Sequence, residues 1–183
     1  MSSHLAVIAG PTAVGKGTVV RYIKENYPNV HLSVSATTRK PRPGEVEGVD
    51  YYFLSHDQFD EMIQSGNMLE SAVVHGSNKY GTPRKPVEEA LKRGDLVILE
   101  IDVQGARQVK ESMPEAKTIF IAPPSWNELV LRLRGRGTEA PEEQEKRLET
   151  AKIELAAQDE FDFVVINDEV ARCAHQVVEL VKA

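Results

Sequence analysis

The chain has 183 residues with a net charge of -6, and 41% of it is hydrophobic and 27% charged. That length supports one compact unit with a sizeable core, and the composition argues against disorder. The acidic balance excludes a face built for duplex DNA or an anionic membrane, so a polyanionic ligand has to be held by locally clustered positive charge.

In chain order, the apolar run His4 to Ala9, closed by Gly10-Pro11, predicts a buried strand. A helix follows over Thr18 to Asn26, with Val19, Val20 and Ile23 on one face and Pro28 as its stop. Arg39-Lys40-Pro41-Arg42-Pro43-Gly44 is a basic, proline-broken loop, and Asp50 to Leu54 is a predicted strand. Ser55-His56-Asp57-Gln58 has the pattern of a capping box, opening a helix that Gly66 closes. Leu69 to Val74 is a further strand, which makes residues 35–83 a small inserted lobe.

Strand–helix alternation then resumes. A helix from Lys85 to Lys92 precedes the apolar strand Leu96 to Ile101, and helix Ala106 to Glu111 precedes strand Thr118 to Ile121. Ser125-Trp126-Asn127-Glu128 reads as a second capping box, opening helix Leu129 to Arg134. A long polar helix over Glu142 to Gln158, a strand over Phe163 to Ile166 and a helix over Val170 to Val181 complete the chain. Short apolar strands alternating with helices imply a doubly wound α/β core, its parallel sheet covered on both faces. One cysteine, Cys173, excludes an internal disulfide and points to a reducing compartment. Leu5 to Ala9 is too short for a signal-peptide core and no apolar stretch could span a bilayer, so the cytoplasm is the expected location.

Gly10-Pro11-Thr12-Ala13-Val14-Gly15-Lys16-Gly17-Thr18 carries G-x-x-x-x-G-K between a predicted strand and a predicted helix, the setting of a P-loop. Its glycines let backbone N–H groups converge on phosphate oxygens, and the helix N-terminus adds a favourable dipole. Lys16 supplies a point charge where negative charge builds during phosphoryl transfer. Gly17 stands where the strict pattern has Ser or Thr. The hydroxyl comes one residue later, on Thr18, which leaves direct Mg²⁺ ligation by the loop open.

A P-loop says only that a nucleotide binds. The rest of the chain resembles the guanylate kinase family, through Ser33 to Glu45, Gly48 to Phe53, Tyr80-Gly81-Thr82, Glu100 to Gly105, Phe120 to Ser125, Arg134 to Thr138 and Val165 to Asp168, all in order. The resemblance implies an ATP:GMP phosphotransferase of P-loop kinase fold that also takes dGMP, uses Mg²⁺ with ATP and needs no nucleic acid, membrane or obligate protein partner. It divides the chain into core (1–34, 84–124, 147–183), a GMP-binding lobe (35–83) and a short helical lid (125–146).

By the same resemblance, Glu70 accepts from the guanine donors, while Ser35 and Thr82 donate toward O6. Arg39 and Arg42 grip the GMP phosphate, and Tyr51 and Tyr80 supply hydroxyls. Asp102 serves the acceptor nucleotide and the magnesium environment, with Glu100 also organising metal-bound water. Arg132, Arg136 and Arg147 are the lid arginines, and Asn167 contacts adenine. The residues alone leave simpler readings open: a solvated acid at Glu70, an exposed basic loop at Arg39 and Arg42, helix-end arginines on carbonyls, and a turn-holding asparagine at 167. Alternation puts Tyr51 and Tyr52 on opposite faces, so one of them reaches the ligand. Trp126 and Cys173 read as packing residues. Two other functions remain in view, a phosphopeptide-binding module that has lost catalysis and a kinase with a different acceptor.

Overall fold

The computed structural model describes residues 4–74, 76–135 and 140–183. From the N-terminus run β1 (Leu5–Ala9), α1 (Lys16–Asn26), β2 (Val30–Leu32), β3 (Ala36–Thr37), β4 (Tyr52–Phe53), α2 (His56–Gln64), β5 (Met68–Val74) and β6 (Asn78–Pro83). The chain continues with α3 (Arg84–Lys92), β7 (Leu96–Glu100), α4 (Val103–Ser112), β8 (Lys117–Ala122), α5 (Trp126–Arg134), α6 (Pro141–Ala156), β9 (Phe163–Ile166) and α7 (Val170–Lys182).

The central sheet is parallel, in the order β2-β7-β1-β8-β9. β1 lies in its middle and is wholly buried. Because strand side chains alternate, its five apolar residues serve two cores. Ala6 and Ile8 join Val19 and Ile23 of α1, Leu129 of α5, Ala151 of α6 and the apolar face of α7. Leu5, Val7 and Ala9 join Val87 and Ala90 of α3 and Val103, Ala106 and Val109 of α4 on the other side. Helices therefore cover both faces, as the alternation of elements requires. Cys173 is fully buried in the first core, where burial pushes its thiol up to about 11. Trp126 packs at the rim of that core, with the Lys152 ammonium 5.9 Å from its ring centroid.

A second sheet, β4-β3-β6-β5, is built from residues 36–83, with β3 antiparallel to β6, β6 antiparallel to β5 and β4 parallel to β3. Three of the strands in the two sheets have no local signature. β2 and β3 have three and two residues, and β6 reads Asn-Lys-Tyr-Gly-Thr-Pro, a composition poor in strand formers. Pairing makes them strands. Gly81 is needed at the heart of this sheet, because a Cβ there would lie 2.7 Å from the Glu70 carbonyl oxygen and 3.0 Å from the Phe59 ring of α2.

Element ends also differ from the sequence reading, for local reasons. The strand expected over Asp50 to Leu54 contracts to two residues. α4 begins at Val103 rather than Ala106, because the Asp102 carboxylate caps it by accepting the Gly105 N–H at 2.7 Å. The Ser55 capping box forms in full, and Gly66 follows the last helical turn with φ +72°. At Ser125 only half the box forms. Its hydroxyl accepts the Glu128 N–H, while the Glu128 carboxylate pairs with Arg132 one turn on, at 3.3 Å.

Candidate active site

The loop between β1 and α1 wraps the N-terminus of α1. Gly15, just before the helix, has φ +96°, and a Cβ there would lie 2.8 Å from the Asn167 side-chain nitrogen. At Gly10 a Cβ would meet the Ile121 carbonyl oxygen at 2.4 Å, so this turn is pressed against the end of β8. Val14 points into the core and is fully buried. The backbone of the loop is clamped from behind. The Val14 carbonyl accepts from Asn167 Nδ2 at 2.9 Å and from Arg132 Nη1 at 3.1 Å, and Arg132 Nη2 donates to the Asn167 carbonyl at 3.0 Å. Asn167 is buried there, tied to loop backbone, and its own N–H donates to the Ala122 carbonyl at 2.8 Å.

Lys16 Nζ donates to the Gly10 carbonyl at 2.5 Å. Burial holds its ammonium below the usual lysine value, opposed by the charges of Glu154, Glu100 and Asp102. These carboxylates come from three places: α6, the end of β7, and the cap of α4. Glu100 opens to the cleft wall. Partial desolvation raises its carboxyl, and Lys16 opposes that shift. Gly17 faces Glu100, with a distance of 3.8 Å between the position of a Cβ and Oε1. Thr18 is exposed on the first turn of α1.

The second cluster lies across Asp102 from the first. Glu70, on β5, is 7% exposed, and its Oε1 accepts from the Thr82 hydroxyl of β6 at 2.8 Å. Burial pushes its carboxyl up to about 7, Thr82 opposes that shift, and the Asp102 charge adds to it. Gly105 permits the crowding. A Cβ there would lie 3.0 Å from Glu70 Oε2 and 3.2 Å from Asp102 Oδ1. Asp102 thus senses both Lys16 and Glu70 and joins the two clusters into one cleft at the C-terminal ends of β1 and β7, where open α/β sheets take their ligands.

Arg39 lies farther along the second sheet. Its Nη2 and Nη1 donate to the two Glu45 carboxylate oxygens at 2.8 and 3.0 Å, its guanidinium stacks 5.3 Å from the Tyr51 ring centroid, and it also bonds Tyr80. The Tyr51 and Tyr80 rings meet edge to face at 6.1 Å. Tyr52 points the other way, toward Leu54, Met62 and Pro83, as strand alternation requires. Arg42 is exposed beside this group, with its N–H on Glu45. Ser35 is half-buried at the start of β3, where its carbonyl accepts the Tyr52 N–H. Arg147 is half-buried on α6, Arg134 is exposed, and Arg136 lies outside the described residues.

Four residues of this cleft were not singled out from sequence. Glu154 accepts the Thr12 N–H at 2.9 Å, and Glu45 holds Arg39. Gly105 makes room for two carboxylates, and Gln108 bonds the backbone of Ser71 beside Glu70. Only Glu154 had a usable signal. It follows Arg147 by seven residues, two helical turns, on the same face.

A family model described as guanylate kinase matches residues 2–183. The chain belongs to the guanylate kinase family. It is 65% identical to a guanylate kinase of Leifsonia xyli subsp. xyli, over 97% of this chain and 70% of that one. It is 57% identical to a guanylate kinase of Cutibacterium acnes, over 96% of this chain and 88% of the relative. The crystal structure of guanylate kinase from Anaplasma phagocytophilum superposes with a TM-score of 0.74 at 32% identity, covering 99% of this chain and 86% of that one. No helix among the described residues is long and apolar enough to cross a membrane.

Proposed function

We propose that the protein transfers the γ-phosphoryl group of ATP to GMP, and to dGMP, giving ADP and GDP or dGDP in the cytoplasm. The observation that carries this is the meeting of two unlike clusters at Asp102, a lysine-bearing P-loop on one side and a buried Glu70–Thr82 pair on the other. A triphosphate tail suits the first, where backbone N–H groups and an ammonium converge. Guanine suits the second. Its N1–H and N2–H donors match the Glu70 carboxylate and its O6 matches hydroxyls on Ser35 and Thr82, whereas adenine offers the reverse pattern. Ligand entry on this reading exchanges the Thr82–Glu70 bond for bonds to the base.

The remaining roles follow the same arrangement. Arg39 and Arg42, with Tyr51 and Tyr80, hold the GMP phosphate, and an arginine fork suits that anion bidentately. Arg39 is already oriented by Glu45 and Tyr51. A GMP phosphate oxygen forms a bond to the γ-phosphorus as the bond to the ADP oxygen breaks. That nucleophile is anionic and needs no general base, so positioning and charge stabilisation carry the reaction. Lys16, Arg136 and Arg147 neutralise the transferring group, while Arg132, expected among the lid arginines, instead joins Asn167 in holding the loop from behind on the adenine side. Residues 35–83 serve as the acceptor lobe and 125–146 as the lid that keeps out water.

Hard oxygen donors are present where ATP would bring Mg²⁺. Glu100 and Asp102 flank Lys16, and the Thr18 hydroxyl is exposed nearby. That set fits an ion that keeps several waters and takes one or two carboxylates plus phosphates. Magnesium would supply charge neutralisation across the β- and γ-phosphates.

An ADP-release assay over the common nucleoside monophosphates tests the reading. GMP and dGMP are expected to be the substrates used. Glu70→Ala is expected to raise KM for GMP about a hundredfold, from two lost charge-assisted hydrogen bonds, with KM for ATP within twofold. Equal use of AMP, or unaltered GMP kinetics in the variant, would overturn the guanine assignment.

A further inference from the structure

α6 turns Gln144, Arg147, Leu148, Ala151, Glu154 and Leu155 inward, a helical spacing that puts opposite charges two turns apart on one packed face. Burying a carboxylate is costly without partners, and Glu154 has two of an unusual kind. Its Oε2 accepts the backbone N–H of Thr12, inside the P-loop, and its charge acts on Lys16. An anionic oxygen on a P-loop N–H beside the loop's lysine is the arrangement a phosphate oxygen makes.

We propose that Glu154 is a competing anion for the nucleotide: its carboxylate takes a phosphate-oxygen position on the P-loop and has to leave when the triphosphate arrives. This rests on the nucleotide reading of the loop given above. A carboxylate left within a few ångströms of the triphosphate weakens the bond a phosphate oxygen makes to the same N–H and repels that oxygen in a partly desolvated cleft. Departure of Glu154 breaks a side-chain bond between α6 and the P-loop. The exchange links occupancy of the P-loop to α6, which carries Glu154, and it sets nucleotide affinity below what the loop alone would give.

The test compares wild type, Glu154→Gln and Glu154→Ala by calorimetry, each titrated with ATP·Mg²⁺ and separately with GMP. Glutamine keeps the shape and an acceptor for the Thr12 N–H but not the charge. Both variants are expected to bind ATP·Mg²⁺ about tenfold more tightly, with GMP affinity within twofold of wild type. Unchanged or weaker ATP binding in Glu154→Gln, with wild type binding normally, overturns the competition and leaves the nucleotide reading standing. Absence of ATP·Mg²⁺ binding in all three folded proteins overturns the nucleotide reading and this inference with it.

Discussion

Glu70 concentrates the chemistry of the acceptor side in a single titration. Its folded carboxyl titrates at about 7, against an ordinary 4.5, because burial disfavours the charged form. Between those values the folded chain binds the proton more tightly than the unfolded chain. Stability therefore falls as pH rises from 4.5 to 7, and levels off above. Glu70→Gln removes this dependence. Urea denaturation from pH 5 to pH 8 is expected to show the variant gaining about 2.5 kcal/mol on wild type. Parallel pH curves for the two proteins would show that the carboxyl is not perturbed. The sequence marks Glu70 only through resemblance, since a glutamate in an apolar strand is a solvated residue by default. Its burial comes from the closeness of Gly105 and Asp102, thirty-two or more positions away.

At the scale of elements, the pairing of α4 with β5 decides whether Glu70 is held in place. β5 is the edge of the second sheet, so Ser71 has backbone groups to spare. Gln108 satisfies both: its Oε1 accepts the Ser71 N–H at 2.9 Å and its Nε2 donates to the Ser71 carbonyl at 3.1 Å. A side-chain amide here does what a neighbouring strand would do, one residue from Glu70. Gln108→Ala is expected to raise KM for GMP about tenfold, for two neutral hydrogen bonds lost, while KM for ATP stays within twofold. Steady-state kinetics with each substrate varied in turn checks it, and an equal rise in both constants would mean general loosening instead. The helices of this chain were largely legible, because caps at Ser55 and Ser125 and apolar faces at helical spacing are local signals. β2, β3 and β6 were not, because their residues carry no strand signature and pairing makes them strands.

On the scale of the whole molecule, the two clusters sit on different sheets, the P-loop on the parallel one and the Glu70 pocket on the mixed one. Each ligand should therefore stabilise the fold through its own anchor. ATP·Mg²⁺ at a hundred times its Kd adds about 2.7 kcal/mol, which for a chain of this size raises Tm by roughly 5–10 °C. Lys16→Met is expected to lose most of the ATP shift and keep the GMP shift, measured by thermal unfolding with each ligand alone. Loss of both shifts would mean that the loop and the pocket fold as one dependent site.

By itself the sequence determined the alternation of strands and helices, the P-loop with its lysine, and the family, because these are written in neighbouring residues or in an ordered series of motifs. Only the tertiary structure decided which charges face one another. Glu154 reaching Thr12 spans 142 positions, and Asn167 under Val14 spans 153. A contact between distant residues leaves no periodicity in the chain. It is selected by packing, once a buried charge or polar group must find a partner or pay the full cost of leaving water.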